Sequence, residues 1–194
     1  MNWWLRLQEV YRRDEDLVDI FGVILFTDAH PHLKKILADN DYWSALDEIS
    51  GPHWVIFSIK PKSGCYSLPQ IPPGVFARMI PVWKEPAENK PILETFGIKS
   101  TRELPLFVVF TQNNNNEILK IELKIKDDSP EEAYNSLKKN IEIITDAVER
   151  IDSQYKKNAQ DVFNAVKMSV DVHKNWEVFK KGIKLIHWLK GFLP

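Results

Sequence analysis

The alternation of apolar and polar positions along the chain marks out strands and helices in a regular order. Gly22 to Thr27 is a continuous β-branched and aromatic run, the pattern of a strand covered on both faces, and Asp28 and Pro31 behind it fit the N-cap and first turn of a helix. Leu33, Ile36, Leu37, Trp43, Leu46 and Ile49 supply the apolar stripe of that helix, which the Gly51-Pro52 pair ends. Trp54 to Ile59 reads as a second buried strand. Strand, helix and strand then form a βαβ unit, expected to be parallel and right-handed, with both strands ending on one edge of the sheet.

Residues 61–91 break the pattern, because seven of the chain's twelve prolines fall there. This is expected to be a long irregular loop, and VFARMIPVW within it is apolar enough to dock on the body, with Trp83 as a contact residue. Ile92 to Phe96 then reads as a short helix closed by Gly97 in the left-handed conformation. ELPLFVVFTQNNNNEILKIELKI predicts a β-hairpin turning at Asn113 to Asn116, and its second strand alternates almost perfectly, as an edge strand with one wet face does. Ser129 caps a helix starting at Pro130 and running to about Ile151. At the start, Trp3, Trp4, Leu7 and Val10 are spaced as the packing face of a short helix over residues 2–11.

Beyond Ile151, Ser153 to Val172 has the spacing of another helix, and HKNWEVFKKGIKLIHWLKGFLP follows it. At 100° per residue Lys180, Lys181, Lys184 and His187 share one narrow face of that last stretch, and Trp176, Phe179, Ile183 and Trp188 belong to its apolar remainder. Five lysines stand there against Glu177 alone. Such a segment packs on its own body, on a second copy or on a protein partner, or lies on a membrane surface through residues 174–194; packing on protein is the leading expectation.

Composition narrows the classes. A net charge of -1 over 194 residues gives no electrostatic footprint for nucleic acid, so no nucleic-acid partner is expected. The single cysteine, Cys65, cannot form an intramolecular disulfide and suits a reducing, cytoplasmic setting. Charges interrupt every apolar stretch before Ile20, so no signal peptide is expected, and IFGVILF is too short to span a bilayer.

The order of elements, together with FGIKSTRELPLFVVF at 96–110, resembles the thioredoxin-like superfamily. There a helix ending in Gly-Ile leads to a proline, often cis, that opens an apolar strand followed by a hairpin partner and a final helix; Gly97-Ile98, Pro105, Leu106 to Phe110, Ile118 to Ile125 and Pro130 to Ile151 match these places. GVILFTD at 22–28 is similar to the strand that precedes the family's active-site helix. The resemblance implies a thioredoxin-like three-layer α/β fold, a mixed central sheet with flanking helices, over residues 1–151, carrying the proline-rich insertion at 61–91 and a C-terminal helical extension at 152–194. Two departures stand out. Six residues separate Ile98 from Pro105, more than the family's usual spacing, and DAHPHLKK holds none of the family's paired cysteines, so the CxxC dithiol is missing.

Dithiol chemistry needs a low-pKa thiolate and a resolving thiol, and the corner at Asp28 to His32 supplies neither. The leading expectation is therefore a non-catalytic protein- or peptide-binding module, a subunit or adaptor without cofactor, whose contact residues are Asp28, His30, His32, Trp83, Pro105, Trp176, Phe179, Ile183 and Trp188. Its working edge is formed by residues 28–35, 61–85 and 99–105. Two alternatives stand beside it: a thiol-dependent redox or transferase enzyme using Cys65, and peripheral membrane attachment through the C-terminal helix. Asp28, His30 and His32, with His53 or Cys65, are a weak metal-ligand set, since His-x-His without a second ligand pair at standard spacing is equally a helix start.

Overall fold

The computed structural model describes residues 18–61, 79–84, 92–113, 115, 117–151 and 158–190. They form a mixed α/β domain around a five-stranded sheet: β1 (Phe21–Leu25), β2 (Val55–Pro61), β3 (Met79–Lys84), β4 (Leu106–Gln112) and β5 (Ile118–Lys124). The strand order is β3-β2-β1-β4-β5. β1 runs parallel to β2 and β2 to β3, while β4 is antiparallel to both β1 and β5.

Every residue of β1 is buried, as its unbroken apolar run predicts for a central strand. Successive side chains feed two cores. Ile24, Trp54, Ile56, Phe107 and Val109 face one side, and Phe21, Val23, Leu25, Phe57, Val108 and Phe110 face the other. On the first side Gly22 lies in a notch: a Cβ there would stand 2.8 Å from Phe107 and 2.9 Å from Trp54, whose rings are 6.0 Å apart. Glycine is what lets those two aromatics close over the strand.

Helices α1 (Pro31–Ala38), α2 (Asn40–Ser50), α3 (Pro130–Glu149) and α4 (Ala159–Lys190) cover the first face. The second face carries Ile92, Phe96, Ile98 and Leu104. Residues 92–95 are helical, and they end as a Schellman motif: Gly97 at φ +61° lets Ile98 N–H reach the Leu93 carbonyl at 2.8 Å, and its own N–H the Glu94 carbonyl at 2.9 Å. Ser129 accepts from Glu132 N–H at the head of α3, as its sequence predicts.

Three expectations are corrected. The helix expected to run unbroken to Ile49 is two helices. Asp39 adopts an extended conformation between them, and its carboxylate accepts from the N–H groups of Asp41 and Tyr42, a local cap that outcompetes continued α1 hydrogen bonding. The proline-rich stretch is not wholly irregular, since Met79–Lys84 adds β3 to the sheet; Pro81 is tolerated because β3 is an edge strand. The helix expected over Ser153 to Val172 and the stretch that follows it are one helix over Ala159–Lys190. The helix expected at residues 2–11 lies outside the described residues.

Candidate partner-binding edge

Register brings the expected features to one edge of the sheet. Leu25 pairs with Ile59 on one side and Leu106 on the other, so β1 and β2 end where β4 begins. β3 ends there too, with Lys84 opposite Pro61 and Trp83 opposite Lys60. The Leu104–Pro105 peptide bond is cis, and Pro105 is buried next to the start of β4, its carbonyl accepting from Ile125 N–H. Its ring is therefore enclosed by the body in the chain alone. The extra residues before Pro105 form a single 3-10 turn over Thr101–Glu103, closed by a capping box between Ser100 and Glu103. Cys65 lies outside the described residues.

The corner after β1 is satisfied from within. Thr27 N–H donates to His30 Nδ1 at 3.0 Å, and His30 N–H returns to the Thr27 carbonyl at 3.1 Å. His30, not Asp28, holds the N-cap position of α1, and its side chain makes no capping bond. Asp28 instead pairs with Lys34 at 2.5 Å. The reading of Asp28 as N-cap is thus corrected, because the tight Thr27–His30 turn moves the helix start two residues on.

The missing cap comes from far along the chain. Asp127, in the loop between β5 and α3, accepts from Leu33 N–H at 2.6 Å. A carboxylate at that point both satisfies an orphan N–H and opposes the positive end of the helix dipole. Nothing in local spacing flags Asp127, because its partner is 94 residues away. His32 is half-buried on the first turn. Among the described residues no three His, Cys, Asp or Glu side chains group as a metal ion would need.

α4 crosses from the opposite edge to this one. It starts beside the hairpin, where Asn158 and Gln160 line a cleft with Asn113 and Asn115, and Val170 and Lys174 line an open groove with Leu123, Lys124 and Lys126 at the far end of β5. β5 has the same direction as β1, so that end belongs to the corner's edge. Val162, Phe163, Val166 and Val170 anchor the helix in the first core. After Val170 the described side chains change abruptly: Val172, Trp176 and Val178 are 59%, 53% and 68% exposed, and Lys180 stands 5.7 Å over the Trp176 ring. The helix nevertheless continues to Lys190, about 30 Å past Val170. Phe179, Ile183 and Trp188 belong to this stretch of helix, with side chains outside the described set. No helix among the described residues is long and apolar enough to cross a membrane. No protein-family model matches the chain, and no curated protein or solved structure matches it either.

Proposed function

We propose that the chain is a non-catalytic, thioredoxin-like binding module, a subunit or adaptor of a larger cytoplasmic assembly that holds a protein partner at the edge where α4 leaves the body. The observation that carries this reading is the projecting half of α4. A regular helix that holds Val172 and Val178 more than half exposed carries apolar surface to solvent, and such surface is what partner proteins cover. The strand order, the parallel β1–β2 unit and the antiparallel β4–β5 hairpin support the thioredoxin-like reading. The internally capped corner supports a binding role over a thiolate-based one.

Affinity capture with mass spectrometry on the full chain, beside light scattering, tests the proposal. The wild type is expected to hold a stoichiometric protein partner or a second copy, and Val172→Asp with Trp176→Asp to lose it at unchanged melting temperature. A monomer that captures nothing overturns it. So does rapid alkylation of Cys65 at neutral pH together with thiol-transfer activity, which establishes the enzyme alternative. Flotation with anionic vesicles and no protein partner points to the membrane alternative.

A further inference from the structure

Beside the projecting helix, β5, α3 and α4 enclose an open groove of about 730 Å³. Its apolar lining is Leu123, Ile143, Val170 and the largely exposed Val178. Among the described residues its walls carry Lys124, Lys126, Lys139 and Lys174 against Glu122 and Glu132. Both acids already face lysines, Glu122 at 2.5 Å from Lys120 and Glu132 at 3.5 Å from Lys126. Among the described lining residues lysines thus outnumber acids around an apolar strip, with Lys124 and Lys174 facing neither acid, and the sequence from Lys174 onward is rich in lysine.

The backbone beside the groove decides between an extended and a helical occupant. β5 is the edge strand, yet at this end Lys126 N–H donates to Ser136 Oγ at 3.1 Å, and the Lys124 carbonyl accepts from Asn140 Nδ2 at 3.4 Å. α3 thus holds the polar groups that an added strand would need. A helix makes no such demand. Laid between α3 and α4, it would cover the strip with one apolar face and meet the lysines with acidic flanks.

We propose that this groove docks an acidic amphipathic helix of the partner protein. The inference rests on the binding-module reading and specifies its contact: charge complementarity selects acidic segments, and the apolar strip selects those with leucine-like residues at i, i+3, i+4 and i+7.

The test uses the full-length protein and a fluorescein-labelled peptide of about 18 residues, five helical turns, with leucine at those positions and glutamate elsewhere; its counterpart carries lysine for glutamate. The acidic peptide is expected to bind and to shift the methyl resonances of Leu123, Ile143, Val170 and Val178. Lys126→Glu with Lys174→Glu, both exposed positions, is expected to weaken it about tenfold or more and to raise affinity for the basic peptide, at unchanged melting temperature. Equal binding of both peptides, or methyl shifts elsewhere, overturns the proposal. So does binding of anionic vesicles, with no peptide binding, that the same two substitutions abolish. If the peptide fails while Val172→Asp with Trp176→Asp still abolishes partner capture, the groove is refuted and the module stands. Should neither pair of substitutions affect any partner, the module itself fails.

Discussion

Asp127 accepts a 2.6 Å hydrogen bond from the backbone N–H of Leu33 and so caps a helix that begins 94 residues before it. The contact ties the loop after β5 to the corner after β1, across the sheet edge to which the candidate site belongs. A cap of this kind contributes about 0.5–2 kcal/mol. Asp127→Ala is therefore expected to lower unfolding free energy by about 1–2 kcal/mol in urea at unchanged m-value, and Asp127→Asn, which keeps an acceptor oxygen, by less than half of that. A loss below about 0.3 kcal/mol for the alanine variant would show that water replaces the carboxylate at no cost.

The same corner separates what sequence makes legible from what it hides. The period-2 and period-3.6 signals around β1, β4, β5 and α3 are local, and each of those elements appears where its pattern places it. Asp39 was hidden because residues on either side of it continue one apolar stripe, while its own short side chain breaks the helix. Met79–Lys84 was hidden by Pro81 and the prolines around it, although an edge strand needs only one side of its backbone. Asp127 could not be found by any spacing rule, since its role exists only once β5 and β1 lie in one sheet. The candidate edge was thus legible in its location, and the bonds that hold His30 and cap α1 were not.

Trp54 makes a second long-range polar contact. Its indole N–H donates to Thr145 Oγ1 at 3.1 Å, and that hydroxyl donates in turn to the Ser50 carbonyl at 3.2 Å, both among fully buried groups. Thr145→Val keeps the shape and leaves the indole N–H and the Ser50 carbonyl without that partner. The expected cost is about 1–3 kcal/mol, measured by denaturant unfolding, with Thr145→Ser retaining the hydroxyl and costing less. If valine is as stable as threonine, the hydroxyl bridge is not a constraint on the α2–α3 contact.

Gly22 offers a steric test of the first core. A methyl group there would overlap the Phe107 and Trp54 rings at 2.8–2.9 Å, well inside contact distance. Gly22→Ala is expected to destabilise the domain by about 1–3 kcal/mol, and Phe107→Leu in the same chain to restore part of the loss by making room. Non-additivity is the readout. Two penalties that simply add would mean the overlap is relieved by some other shift and that the glycine is not required for this closure.

α4 is the element whose two halves should behave differently. Val162, Phe163, Val166 and Val170 are at most 5% exposed and belong to the same core as α1 and α3, whereas none of the described side chains after Val170 is fully buried. Burying four such side chains contributes roughly 1.5–3 kcal/mol each, an upper bound that together rivals the whole stability of a domain this size. Ending the chain after Ile151 is therefore expected to leave it unfolded or aggregated, as judged by circular dichroism and a lost urea transition. Ending it after Lys174 should leave the transition midpoint unchanged while abolishing partner capture. A folded, equally stable chain ending at Ile151 would show that α4 is an independent appendage; a large loss of stability on ending at Lys174 would show that the projecting half folds back on the body, which removes the basis for its role as a docking arm.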